Sequence, residues 1–283
     1  MLAQQLQWGI RFTIPGTGAS GHLCGGILLS AVLGPESSFL TMIGVLLTQC
    51  LLFADGGVLA LGCNIWNMAF YGCFIGIGVI WRLIMKNGIS KKKIIVSSIA
   101  GCIITLQMGA FSVVIETLLS GITELPFNVF TSFMLPIHLA IGLVEGLITS
   151  AILCFIYEVR RDILWLPDKE MDSTNKKKYF SLKSIVFIFA IAALIVGGGL
   201  SLVASANPDG LEWSIENITG STELESKGGV YEIAEKIQGV TALLPDYSLK
   251  DSDSAAGTSI SGVLGGIVVL AVCIGVATAV RII

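Results

Sequence analysis

Apolar residues gather along this chain into seven stretches separated by short polar breaks: about Gly21–Leu33, Ser38–Ala54, Asn64–Met85, Ile94–Leu119, Phe127–Tyr157, Ser184–Ser205 and Ile260–Val280. Hydrocarbon offers no water to backbone polar groups, so a lipid-crossing segment must be a helix of about 20 apolar residues. The pattern predicts an all-α polytopic membrane helix bundle with about seven hydrophobic segments. The first stretch is short. A run of roughly 10–14 apolar residues tilts, re-enters or lines a cavity more often than it crosses cleanly, and the glycines at its entrance suit irregular backbone covered by protein or water. The connections divide the chain into a five-segment block over residues 1–160, a polar linker over 161–181, and a pair of spans over 182–283 that flank a small domain at about 207–256. Within that domain Asn207-Pro208-Asp-Gly-Leu-Glu-Trp213 reads as a helix start. Asn207 is the expected cap and Pro208 the first helical residue, where a missing N–H costs nothing.

Composition agrees with the pattern: 54% of residues are hydrophobic and only 13% charged, against about a quarter charged in soluble domains. No cleavable leader is visible, because Met1–Gln7 is polar and uncharged, so insertion is expected to rely on the spans themselves. The seven cysteines lie in apolar stretches with no C-x-x-C pair; they read as small packing residues rather than as a disulfide scaffold or thiolate metal site.

Charge sets the expected orientation. Loop 82–93 carries Arg82, Lys86, Lys91, Lys92 and Lys93, and loop 160–183 carries Arg160, Arg161, Lys169, Lys176, Lys177, Lys178 and Lys183. By the positive-inside rule both are cytoplasmic. The N-terminus, the Ala54-Asp-Gly-Gly57 turn and residues 207–256 are then extracytoplasmic. That outer segment is acidic, with ten carboxylates from Asp209 to Asp253 against three lysines. It reads either as a solvated ectodomain or as a field that attracts cations.

Ionisable and amide groups within spans are costly enough to be functional candidates. They are His22 at the outer boundary, Gln107 and Glu116 in the fourth segment, and His138 and Glu145 in the fifth. Seven residues at about 100° each place His138 and Glu145 within roughly 20° on one face, but about 10 Å of rise separates them, so they cannot chelate one ion. They read as interhelical hydrogen-bonding groups or as parts of an ion path. Glu116, within a turn of the outer end, is expected to snorkel. His22 stands in Gly16-Thr-Gly-Ala-Ser-Gly-His22-Leu-Cys-Gly-Gly26. Taken alone it is an interfacial histidine or a borderline metal ligand, and Cys24 is no partner, because two residues on a helix diverge by about 200°. The surrounding glycines let backbone groups approach whatever the imidazole contacts.

No H-E-x-x-H, G-x-S-x-G or P-loop pattern is present, and no nucleophile–base pair can be assembled, so no enzyme activity is expected. Any pumping requires a separate ATPase. A self-sufficient divalent-cation channel or secondary transporter, and more remotely an intramembrane enzyme, are the alternatives.

The runs Ser20-Gly-His22-Leu-Cys-Gly-Gly26, Leu52-Phe-Ala-Asp-Gly-Gly57, Leu61-Gly-Cys-Asn64-Ile-Trp-Asn67-Met68, Leu135-Pro-Ile-His138 and Val144-Glu-Gly-Leu-Ile148 together resemble the CbiM/NikM substrate-capture subunit of energy-coupling-factor cobalt and nickel importers. Pro208-Asp-Gly-Leu-Glu212 resembles the PDGLE-type N subunit that accompanies or is fused to it. The resemblance implies a membrane protein without ATPase activity. It captures Ni²⁺ or Co²⁺ outside and works with a transmembrane coupling (Q-type) subunit and cytoplasmic ATPase (O-type) subunits. The lipid bilayer is the remaining partner, with no nucleic acid and no resident cofactor. It implies metal held by nitrogens: the terminal amine, backbone nitrogen and imidazole of a Met-His start, and a further histidine that His22 matches. The Ser-Gly-His-Leu wording and the PDGLE partner lie closer to nickel members. This chain begins Met1-Leu2-Ala3-Gln4, without the Met-His arm. Either translation starts further upstream or the copy has lost its site; the intact remaining motifs favour an upstream start.

Overall fold

The computed structural model describes residues 11–122, 124–166, 181–199, 205–224, 228–247 and 255–282. The extreme N-terminus, most of the linker and the acidic residues Glu225, Asp251 and Asp253 lie outside the described residues. The protein is an all-α membrane helix bundle with one small β-ribbon, in which β1 (Phe12–Thr13) pairs antiparallel with β2 (Ser20–Gly21).

The short first stretch becomes α1 (Gly26–Leu33), one eight-residue helix. Glycines bound it: Gly25 precedes it at φ 74° and Gly34 ends it at φ 82°, with the Gly34 N–H donating to Ser30 O. Such φ values suit a residue without Cβ. Pro35 then opens α2 (Pro35–Phe53). The next helix, α3 (Leu61–Met85), is wound with the wider π spacing over Ile65–Trp81. Ser90 caps α4 (Lys91–Leu119), accepting the Lys93 N–H, and α5 (Phe127–Arg160) is the longest of the described helices. The helices α2, α3, α4 and α5 are each long and apolar enough to cross a membrane. The second module contributes α6 (Leu182–Gly198), the outer helices α7 (Gly210–Thr219) and α8 (Gly229–Thr241), and α9 (Ala255–Ile282). Shorter apolar helical stretches lie within α6 and α9, at Phe187–Val196 and Ser259–Val272. The chain is a multi-pass membrane protein.

Two compact units emerge. One gathers Met1–Leu23, Thr41–Trp66 and Ala190–Ile283; the other gathers Cys24–Leu40 and Asn67–Phe189. In the second unit small residues set the packing. A Cβ on Gly146 would lie 2.6 Å from Ile99 Cα and one on Gly142 would lie 3.0 Å from Ile103 Cα, so α4 and α5 touch backbone to backbone. Gly26 and Gly72 face each other the same way, while Ile27 fills the space beside Gly76 and Gly101. The small-residue step Gly72-x-x-x-Gly76 thus seats α1 within the chain.

Candidate functional site

His22 is delivered by the ribbon. Between β1 and β2 the chain turns through Ile14-Pro-Gly-Thr-Gly-Ala19. The Ile14 N–H donates to Ala19 O at 2.9 Å, and the Thr17 hydroxyl donates to Ile14 O and accepts the Ala19 N–H. Gly16 and Gly18 take φ of 79° and 80°, the left-handed region that a tight turn needs and a side chain resists. His22 follows directly after β2. The glycines that open this stretch shape the hairpin that carries the imidazole.

The segment 205–213 closes on that hairpin from the far end of the chain. The Ser20 N–H donates to Pro208 O at 2.7 Å and the Ser20 hydroxyl to Asn207 O at 2.8 Å. Ser205 N–H donates to Arg11 O at 2.9 Å, Arg11 Nη2 to Asn207 O at 3.2 Å, and Trp213 Nε1 to Thr17 O at 2.9 Å. The helix start here differs from the expected one. The cap of α7 is Asp209, two residues beyond Asn207, and Pro208 stands before it. Asp209 Oδ1 accepts the N–H groups of Leu211 and Glu212 at 2.8 and 2.9 Å, and Glu212 Oε2 returns the favour to the Asp209 N–H at 2.9 Å. This reciprocal capping box satisfies three donors that would otherwise be orphaned, and it outweighs the preference of proline for the first turn.

The second oxygen of Asp209 faces His22. Oδ2 lies 3.8 Å from His22 Nε2, an ion-pair separation, with the two side chains 24% and 28% exposed and the Nδ1 atom of the ring buried. Arg11 stands 3.8 Å from Glu212. Burial alone would lower the basicity of His22, but Asp209 and the charge of Asp55 reverse this and raise it above its ordinary value. Burial pushes Asp209 up, yet His22 and Arg11 hold it well below the usual carboxylate range. Burial raises Asp55, with the Asp209 charge adding to the shift. Asp209 is thus the fixed anion of the cluster. Asp55 follows Ala54, which has φ 61° and whose carbonyl accepts Gln238 Nε2 at 2.8 Å; Tyr247 donates to Asp55 Oδ2 at 3.1 Å while its ring stacks on Phe53.

In the other unit Glu145, 2% exposed, accepts the Cys24 and Gly25 N–H groups at 3.0 and 2.9 Å. Its carboxylate caps α1 and holds the main chain two residues after His22. His138 Nδ1 bonds Met134 O within its own helix at 2.8 Å, so the two groups that share a face take separate partners. Gln107 links α4 to α5 through Leu135 O at 2.8 Å. Glu116 does not snorkel: it accepts Asn67 Nδ2 at 2.9 Å. Among the described residues no three His, Cys, Asp or Glu side chains form a ready metal cage. Sequence reasoning missed Asp209 as the companion of His22; the D-x-x-E capping pattern was the available signal for its cap.

Comparison with known proteins covers nearly the whole chain. Residues 7–163 match the family described as cobalt uptake substrate-specific transmembrane region, and residues 183–282 match the PDGLE domain. A fused nickel transport protein, NikMN, of Archaeoglobus fulgidus is 34% identical over 95% of this chain and 79% of its own length. A fused nickel transport protein, LarMN, of Lactiplantibacillus plantarum is 29% identical over 72% of this chain and 61% of its own. The cobalt transport protein CbiM of Sorangium cellulosum is 30% identical over 53% of this chain and 67% of its own. No solved structure matches the chain.

Proposed function

On the premise that the chain belongs to the cobalt uptake substrate-specific transmembrane family, with a PDGLE domain joined to it, we propose that it is the metal-capture subunit of an ATP-driven energy-coupling-factor importer. Its substrate is Ni²⁺ in preference to Co²⁺, because the relatives that cover most of the chain are named as nickel transport proteins. The capture block spans 1–160, the cytoplasmic linker 161–181, and the PDGLE module 182–283. The N-terminus and residues 207–256 face outward and loops 82–93 and 160–183 inward, in keeping with the basic residues of those loops. A transmembrane coupling subunit and cytoplasmic ATPases provide the energy.

The observation that carries this reading is the placement of His22. A borderline nitrogen donor sits at the end of a rigid hairpin, beside Asp209. Imidazole suits Ni²⁺ and Co²⁺, and neighbouring carboxylates draw a dication to it. Reconstitution with the coupling and ATPase subunits in proteoliposomes tests the proposal. Nickel uptake should require ATP, and His22→Ala should lower it by at least the roughly 10–100-fold that losing even an outer-shell partner of a metal ligand costs. Full uptake by His22→Ala would overturn the role of His22, and uptake by this chain alone, without ATP, would favour a self-sufficient transporter.

A further inference from the structure

The helix α8 (Gly229–Thr241) carries more apolar surface than its own module covers. Val230, Ile233, Ile237 and Val240 are between 45% and 81% exposed, and Leu243 just beyond the helix is exposed as well. At about 100° per residue the four helical positions fall within an arc of roughly 80° that runs the length of the helix. To one side of that arc lie buried Ala234 and Gln238, whose Nε2 donates to Ala54 O at 2.8 Å; they form the face that meets the protein. To the other side lie Glu232, Glu235 and Lys236. A surface helix of a water-soluble module has two faces, one against its core and one in water. This helix has three, and the third is apolar and exposed.

The level at which α8 is fastened identifies what lies over the stripe. Leu244 N–H donates to Leu52 O at 3.1 Å, one residue before the end of α2, and Tyr247 stacks on Phe53, the last residue of that helix. The Tyr247 carbonyl accepts the Ser261 hydroxyl of α9 at 2.9 Å, and Ser259 of the same helix donates to Gly198 O at the end of α6. The tail of α8 thus sits where the ends of α2 and α6 meet the first two turns of α9. Since α2 is long and apolar enough to cross a bilayer, its end marks the boundary of the hydrocarbon. A helix lying flat at that boundary buries an apolar stripe among acyl chains and keeps its charged side in water.

We propose that α8 is an interfacial helix: it lies along the bilayer surface at the end of α2, with Val230, Ile233, Ile237 and Val240 set into the lipid, and ties the small domain of the second module to the membrane. The proposal depends neither on the metal nor on the energy source. Two glutamates and one lysine on α8 offer no net attraction to anionic headgroups, so apolar burial holds the helix and a neutral lipid such as phosphatidylcholine suffices as its partner.

Photocrosslinking in the full chain tests this. A benzophenone-bearing phenylalanine replaces Ile233, Ile237 or Glu235, one at a time, and the protein is irradiated in phosphatidylcholine nanodiscs and in the membranes of the producing cell. Mass spectrometry reads the adducts. Lipid adducts at 233 and 237 and none at 235 are expected in both settings, with yields unchanged when part of the phosphatidylcholine is exchanged for phosphatidylglycerol. Adducts that join two copies of the chain, or in cells join it to another protein, in place of lipid would overturn the proposal in favour of a protein-docking face. No adduct at any of these positions would place the stripe in water, and lipid adducts at all of them would immerse the whole helix; either result also overturns it. A yield that rises with phosphatidylglycerol would overturn attachment by apolar burial. Should replacement at 233 or 237 disturb the fold, Val230 and Val240 decide by the same readout, being the most exposed members of the stripe.

Discussion

Gly25 enters α1 in the left-handed region with no side chain to cap the helix, so the N–H groups of Cys24 and Gly25 take both oxygens of Glu145. A carboxylate at a helix N-terminus is also favoured by the peptide dipoles. Glu145→Leu leaves these donors unpaired and should cost about 2–6 kcal/mol, since each buried orphan costs about 1–3 kcal/mol; Glu145→Gln keeps one acceptor and should cost about half as much. Thermal unfolding in detergent reads both, and a Leu variant that melts with the parent protein would refute the capping role. Helical spacing placed Glu145 and His138 on one face, but spacing says which way a side chain points and not what it meets. The partner of Glu145 is backbone 120 residues earlier, and an N–H group has no signature in a sequence. The start of α7 failed for a different reason: two capping rules competed over Asn207-Pro208-Asp209, and the one with a reciprocal partner in Glu212 prevailed. Glu116 was assigned to solvent from its position near a helix end, whereas Asn67 offers it a donor nearer at hand.

At the scale of elements, long apolar runs announced α2 to α5 because length and hydropathy alone decide whether a helix can span. The brevity of the first stretch was equally legible, since glycines at both ends stop α1 after eight residues. Packing was not. Small-residue steps permit close approach without naming the surface approached, and here they are used inside the chain. Gly146→Ala forces a methyl group to within 2.6 Å of Ile99 Cα, which backbone can relieve only by moving α4 from α5. A loss of about 1–3 kcal/mol is expected for such overpacking. Gly78→Ala, with nothing within 4 Å, should be neutral or stabilise by up to about 1 kcal/mol through helix propensity. Equal melting temperatures for the two variants would show that the α4–α5 contact is looser than described.

On the scale of the whole molecule, the hairpin of residues 11–22 and the segment 205–213 meet across almost two hundred positions of sequence. Being one chain makes that meeting an intramolecular equilibrium. Joining two contacting segments in one chain confers an effective concentration that reaches the order of millimolar for short connections, so the contact needs only modest intrinsic affinity to stay closed. Cutting the chain within 161–181 and producing the halves together exchanges that constant for the abundance of a free partner. Under the proposed function, nickel binding by the first half should then rise and saturate with the amount of the second, a dependence measurable by titrating one purified half into the other; the intact chain should show none. The fusion makes the stoichiometry of the two modules independent of expression level, so every hairpin that is synthesised arrives with its own Asp209.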